Sequence, residues 1–379
     1  MDRIEGAHPG QLAQPNISGL TPYVPGKPIS ELQRELGLSN IVKLASNENA
    51  WGASPRALAA MHAALDEVAL YPDGSGHELK QALAAHLRVD TACLTLGAGS
   101  NELLALLAEG FLTPDCNAVY SHYAFAIYPL ITRATGATAI EVPALDACAA
   151  MPLGHDLDAM QRAVGPATRL VFIANPNNPT GTWLDTARLR EFIEHAPAHT
   201  LVALDEAYLE FGIASGCEDA IGWVQQWPNL VLFRTFSKAY GLAGVRVGYS
   251  VSHPEVADVL NRIRPAFNVT SAGLAGARAA LGDQAHVREC VRQTLLGREQ
   301  LQSGCRALGL RTIPSAGNFL LVHFGATAQK IYNELLRGGY IVRPVAGYGL
   351  PEYLRITVGT AAQNDGLLTL LAACRQRGA

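Results

Sequence analysis

Leu230-Val231-Leu232-Phe233-Arg234-Thr235-Phe236-Ser237-Lys238-Ala239-Tyr240-Gly241-Leu242-Ala243-Gly244-Val245-Arg246-Val247-Gly248-Tyr249 organises the reading of this chain. Its first four residues read as a short buried strand. Lys238 follows at the strand's mouth beside the Ser237 hydroxyl, with Arg246 eight residues on amid glycines. The same arrangement occurs twice upstream. The strand-like run Arg169–Ala174 ends in Asn175-Pro176-Asn177-Asn178-Pro179-Thr180-Gly181, and Leu201–Leu204 delivers Asp205-Glu206-Ala207-Tyr208. From Cys93 to about Tyr249 apolar strands alternate with helical stretches, which predicts right-handed βαβ units and a mainly parallel sheet. Ligands of such sheets sit at the carboxyl ends of the strands, so Asn178, Asp205, Tyr208 and Lys238 can meet in one crevice.

A lysine in that setting can lose its proton to desolvation and form an imine with an aldehyde. A hydroxyl and an arginine can hold a phosphate dianion. An aspartate can pair with a protonated pyridine nitrogen, and Asn178 and Tyr208 can donate hydrogen bonds to a phenolate oxygen. Together these are the requirements of pyridoxal 5′-phosphate (PLP). Each residue alone has a plainer reading: Lys238 as a surface lysine at a turn, Asp205 as a helix N-cap. The three strand ends in this order favour the joint reading.

With these residues in view, the sequence resembles the PLP-dependent aminotransferases of fold type I, and within them the histidinol-phosphate aminotransferase family. The resemblance covers nearly the whole chain. It runs from Leu20-Thr21-Pro22-Tyr23-Val24-Pro25-Gly26-Lys27-Pro28 and Lys43-Leu44-Ala45-Ser46-Asn47-Glu48-Asn49-Ala50-Trp51-Gly52, through Tyr71-Pro72-Asp73, Asn178–Gly181, Asp205–Tyr208 and the lysine run, to Leu354-Arg355-Ile356-Thr357-Val358-Gly359. The central motifs are shared by many aminotransferases, whereas the amino-terminal pair is more particular to the histidinol-phosphate branch. Ala50 departs from that branch, which usually carries proline there; the change touches loop stiffness.

The resemblance implies an α/β fold with a large PLP-binding domain, whose mainly parallel sheet is flanked by helices, and a smaller α+β domain. The expected division is an arm at 1–30, the large domain at 31–275 and the small domain at 276–379. Ser54-Pro55 reads as an N-cap with proline in the first helical turn, opening a helix over Arg56–Ala69. A second helix is expected through Leu87 and a long one from about Gln284 to Leu308. Strands are expected at Asn318–His323 and Leu354–Val358, with a helix near Ala328–Arg337.

Other site residues follow. Leu94–Gly97 and Ala98-Gly99-Ser100-Asn101 read as strand, glycine turn and helix start. Unpaired amides there suit a phosphate, although a plain βα turn has the same pattern. By resemblance, Ser100 and Asn101 take the PLP phosphate together with Ser237, Arg246 and Thr235. Phe125 is the choice for the ring stacked on the cofactor, with Tyr123 the alternative register. Asn178–Pro179 is expected to be a cis peptide. Tyr71 is implied to reach the partner subunit's PLP phosphate, so the expected unit is a homodimer with shared active sites; a loop tyrosine is the plainer reading. Arg343 and Arg355 stand in apolar runs where charge is costly without a partner. Arg355 is implied to receive both the carboxylate of glutamate or 2-oxoglutarate and the phosphate of histidinol phosphate, assisted by Arg343 and Tyr23. Salt bridges within the small domain are their other reading.

The implied reaction is transamination of histidinol phosphate with 2-oxoglutarate, giving imidazole-acetol phosphate and glutamate, with Lys238 moving the Cα proton. An aromatic amino-acid aminotransferase and a PLP-dependent decarboxylase of the same branch are the rivals. A net charge of −4 argues against non-specific nucleic-acid binding. No signal-peptide pattern opens Met1–Gly6, and no apolar run approaches the ~20 residues that span a bilayer. The chain is expected in the cytoplasm, away from membranes. Seven scattered cysteines without a Cys-x-x-Cys pair suit reduced thiols. The eleven histidines, His122 and His155 among them, show no ligand spacing. No metal is expected.

Overall fold

The structure is a computed structural model that describes residues 9–23 and 25–376. The first eight residues of the expected arm (with the Met1–Gly6 reading), Val24 of the Leu20–Pro28 run and residues 377–379 lie outside the described residues. Strand β1 (Val42–Lys43) precedes a central set: β2 (Leu94–Gly97), β3 (Asn117–Ser121), β4 (Thr138–Val142), β5 (Thr168–Ala174), β6 (Leu201–Asp205), β7 (Leu230–Thr235) and β8 (Gly248–Val251). Five strands follow: β9 (Arg311–Thr312), β10 (Phe319–His323), β11 (Tyr340–Ile341), β12 (Arg343–Pro344) and β13 (Tyr353–Thr357).

Among the described residues, β2 to β8 form a seven-stranded sheet in the order β2-β8-β7-β6-β5-β3-β4. Only β8 runs antiparallel to its neighbours, β2 and β7. Both faces are covered. Val171, Ile173, Val202, Leu204, Leu230 and Leu232 join one core, while Leu170, Phe172, Ala203, Val231 and Phe233 join another on the opposite face. The apolar runs of the sequence thus reflect burial on both sides. Burying each such Leu or Phe contributes on the order of 1.5–3 kcal/mol.

The same alternation sorts the polar strand ends. Asp205 follows Ala203 and Thr235 follows Phe233 onto one face, whereas Glu206 and Arg234 share the other. There the Arg234 guanidinium meets Glu206 Oε2 at 2.7 Å in a buried ion pair.

The second sheet has the order β12-β13-β10-β9, all antiparallel. Helix Gln284–Ala307 supports it, burying Val287, Cys290, Thr294, Gly297, Leu301 and Cys305 at helical spacing. β1 pairs in parallel with β11. Leu44 enters the core of the second sheet, and Leu32 and Ala45 pack with Ile341. Residues expected in the large domain therefore pack against the small one. Two β-strand residues at 42–43 are too short a signal to reveal a partner about 300 residues away. The expected boundary at 275/276 falls inside helix Ser271–Leu281, whose Ala277, Ala280 and Leu281 belong to the large core.

Ser54 caps its helix by accepting from the Ala57 amide. The helix ends at Ala64 and a 3₁₀ turn spans Leu65–Glu67, short of the expected Ala69. Leu65, Val68 and Leu70 are exposed, so no core holds another α-helical turn.

Candidate active site

The strand ends converge on a cavity of about 210 Å³. Lys238, Asp205, Tyr208, Asn178, Phe125, Ser100, Asn101, Thr235, Ser237, Arg246, Tyr23, Arg343 and Arg355 all line it. Tyr71 does not. It is 82% exposed and stacks on Phe267 with ring centroids 4.7 Å apart.

One cationic cluster forms around Arg246. Helix Ser100–Phe111 begins after Gly99, whose φ is +84°. A Cβ at Gly99 would lie 2.2 Å from Arg246 Nη2, so the turn needs glycine for both backbone and space. Arg246 Nη1 donates to Ser237 Oγ at 3.1 Å, and the Ser237 amide donates to Thr235 Oγ1 at 3.1 Å. Among the described residues Arg246 has no carboxylate within 4 Å.

Beyond it lies Asp205. Its Oδ2 accepts from the buried Tyr128 hydroxyl at 2.9 Å, and its Oδ1 accepts from the Ala207 amide at 3.1 Å. Burial pushes its carboxyl up to about 6, opposed by the Tyr128 hydrogen bond. Among the described residues it has no ion-pair partner. Burial and the neighbouring Arg355 guanidinium bring the Lys238 amine down to about 8. Lys238 Nζ lies 5.6 Å from the centroid of the Tyr208 ring and 3.3 Å from Ser46 O. The Tyr208 phenol is raised by burial and accepts a hydrogen bond from Asn47 Nδ2 at 2.9 Å.

The second cationic cluster is Arg355 with Arg343, directly opposite each other across β13 and β12. Like charges in that register destabilise a sheet unless an anion joins them. Arg355 donates to Asn178 Oδ1 through Nη1 and to Ala45 O through Nη2, the latter at 2.6 Å, while its Nε is buried without a partner. Arg343 lies over the Tyr23 ring at 5.7 Å, and Tyr23 meets the Phe125 ring edge-on at 6.4 Å.

Three placements go beyond expectation. β3 ends at Ser121, so Phe125 sits in the turn before helix Ile127–Ala134, where strand register does not set its direction. The alternative Tyr123 has φ +58° and packs with the cluster of Leu153, Val345 and Tyr353, outside the cavity lining. Asn175–Pro176 is cis as well as the expected Asn178–Pro179. Sequence reasoning gave no role to Tyr128 or Asn47. Tyr128 is fully buried yet polar, but a tyrosine in an aromatic run reads as core. Asn47 lay within the Lys43–Gly52 run, whose density of Asn residues was the available signal.

A buried carboxylate with no ion-pair partner among the described residues, an arginine–hydroxyl–amide cluster and an enclosed lysine of lowered pKa fit the three handles of PLP: pyridine nitrogen, phosphate and aldehyde. The sequence model of the family "Aminotransferase class I and II" matches residues 39–371, and the chain belongs to that family. Within it the chain falls among the histidinol-phosphate aminotransferases. It is 54% identical to histidinol-phosphate aminotransferase 2 of Pseudomonas fluorescens, over 95% of this chain and 96% of that one. It is 51% identical to the Pseudomonas aeruginosa protein of the same name, with the same coverage. The structure of histidinol-phosphate aminotransferase from Sinorhizobium meliloti in complex with pyridoxal-5′-phosphate superposes with a TM-score of 0.88. Its identity is 31%, over 97% of this chain and 98% of that one.

Proposed function

We propose that the chain transfers the amino group of L-histidinol phosphate to 2-oxoglutarate, a step of histidine biosynthesis, with PLP as cofactor. The observation that carries the reading is the Arg343–Arg355 pair lining the same cavity as Lys238. One site must take the phosphate of one substrate and the carboxylates of the other, and guanidinium forks match both.

PLP, when bound, supplies a ring that accepts the electron pair left by Cα deprotonation. Asp205 holds a proton on the pyridine nitrogen, and Tyr128 keeps its carboxylate in place. Arg246, Ser237, Thr235 and the first amides of helix Ser100–Phe111 would hold the phosphate, and Phe125 would pack against the ring. Asn178 has its carbonyl engaged by Arg355 and offers Nδ2 to the ring oxygen beside Tyr208. Lys238, whose lowered amine lines the cavity, would take the substrate's Cα proton as base and give it back as acid. Arg355 receives the substrate anions, assisted by Arg343 and Tyr23.

Tyr71 completes the phosphate site of a second copy, making the working unit a homodimer. Among the described residues no helix is long and apolar enough to cross a membrane. We place the enzyme in the cytoplasm.

Ranking kcat/KM for histidinol phosphate, phenylalanine and tyrosine with 2-oxoglutarate tests the reading. Histidinol phosphate is expected to lead by at least about tenfold, the worth of one charge-assisted hydrogen bond. A preference for phenylalanine would overturn the substrate assignment.

A further inference from the structure

Asn47 sits between the two sheets. It is 1% exposed and has φ +55°. Its backbone amide donates to Thr357 Oγ1 at 3.0 Å, and its backbone carbonyl accepts from Asn318 Nδ2 at 3.0 Å. Its side chain spans from Thr357, with Oγ1 to Oδ1 at 3.1 Å, to the Tyr208 hydroxyl, with Nδ2 to Oη at 2.9 Å. Tyr208 and Thr357 are both buried.

Hydrogen counting gives this chain of contacts a direction. Thr357 Oγ1 already accepts from a backbone amide, so its single hydrogen is free for Asn47 Oδ1. The opposite amide orientation would bring a second donor to Oγ1 and leave the threonine's hydrogen without this acceptor in a buried place, which is costly. With Oδ1 on Thr357, Nδ2 donates to Tyr208 Oη. The Tyr208 oxygen is then an acceptor on its protein side, and its own hydrogen is left for the cavity.

Three demands meet at position 47: a left-handed backbone, an acceptor on one side and a donor on the other. Glycine meets only the first, and aspartate lacks the donor. Asparagine meets all three.

The geometry points to Asn47 and Thr357 as positioning residues that turn the Tyr208 hydroxyl hydrogen into the cavity, toward the cofactor's ring oxygen. This rests on the PLP reading above. Thr357 lies two residues from Arg355 on β13, so the strand that offers the anion-binding guanidinium also sets the polarity of Tyr208.

The test is a pH titration of the visible absorbance of the PLP-loaded protein. A donor at the ring oxygen favours its anionic form and holds the titration midpoint low. Tyr208→Phe removes the donor and is the reference. Asn47→Gly keeps the backbone without adding charge, and Thr357→Val removes the hydroxyl at similar volume. Both are expected to raise the midpoint toward that of Tyr208→Phe, by up to about one pH unit, since a hydrogen bond to a charged group is of that order. Thr357→Ser should restore the wild-type midpoint.

Wild-type midpoints in Asn47→Gly and Thr357→Val beside a shifted Tyr208→Phe would overturn this inference and leave the PLP reading standing. An unmoved Tyr208→Phe would likewise overturn this inference alone, whereas a wild-type protein with no visible band would overturn both. If Asn47→Gly fails to fold, the Thr357→Val and Thr357→Ser pair decides.

Discussion

Arg355 on β13 and Asn178 in the loop after β5 are joined across the cavity, the arginine's Nη1 donating to the asparagine's Oδ1. Of the guanidinium's five N–H donors, two are committed to Asn178 and Ala45, leaving three. The fork is held in place by the protein before an anion arrives. Both half-reactions should therefore suffer in Arg355→Ala, by roughly ten- to a hundredfold in kcat/KM. Arg355→Lys keeps charge without the fork and should lie between. Separate half-reaction kinetics with histidinol phosphate and with glutamate check this. A defect confined to glutamate would place phosphate recognition at Arg343 and Tyr23.

Lys238 gives a prediction with a sign. Its folded value is lowered to about 8 from an ordinary 10.5. Between those values the unfolded chain binds the proton that the folded chain has released. The lysine's contribution to cofactor-free stability therefore rises with pH across that window and is unfavourable below it. Lys238→Met should raise the Tm of the cofactor-free protein at pH 7 and lose most of that advantage by pH 10.5, measured by calorimetry. Reduction of the loaded protein with borohydride should fix the cofactor to the peptide that carries Lys238, which mass mapping reads.

Asp205 titrates the other way. Its carboxyl is raised to about 6 from 3.8, so the folded chain holds the extra proton between those values. Cofactor-free stability should decline as pH rises through that interval. A bound pyridinium pairs with the ionised carboxylate, so PLP affinity should weaken as pH falls below about 6, which equilibrium dialysis reads. Asp205→Asn should flatten this dependence and slow single-turnover proton transfer far more than it weakens binding. Equal loss in both would make Asp205 only a positioning group for the ring.

The exposed Tyr71, stacked on Phe267 and away from its own chain's cavity, suits a partner's site. Tyr71→Ala and Lys238→Ala should each be strongly impaired alone. Mixed and re-equilibrated, random pairing gives half heterodimers, each with one intact site, and so about a quarter of wild-type activity. Failure to regain activity while heterodimers form would show that Tyr71 serves its own subunit.

The parts legible in sequence were those with short-range signals. Asp205 stands directly after an apolar run, and Asn178 and Lys238 stand within five residues of one, so strand pattern and topology bring them together. The parts missed depend on long-range pairing. Asn47 reaches Tyr208 and Thr357, 161 and 310 residues away. β1 finds its partner at Tyr340–Ile341, and nothing local in Val42–Lys43 encodes that choice. Tyr123 and Phe125 differ by two residues, and a turn after β3 sends them to different places. Periodicity has no hold on a turn.

Asp205 and Glu206 are neighbours in sequence, yet the pleat carries one to the cavity and the other to Arg234 on the far face. Their roles are thus assigned by parity. Removing one residue from the body of β6 while keeping its anchoring at Leu201 would exchange the faces of the two acids. Glutamate would enter the cavity one methylene too long, and aspartate would take the Leu204 place opposite Leu232, on the face of Arg234 but two residues short of it. Removing two would return each acid to its own face, in a shorter strand. This strand's tolerance of length change is therefore expected to alternate between odd and even.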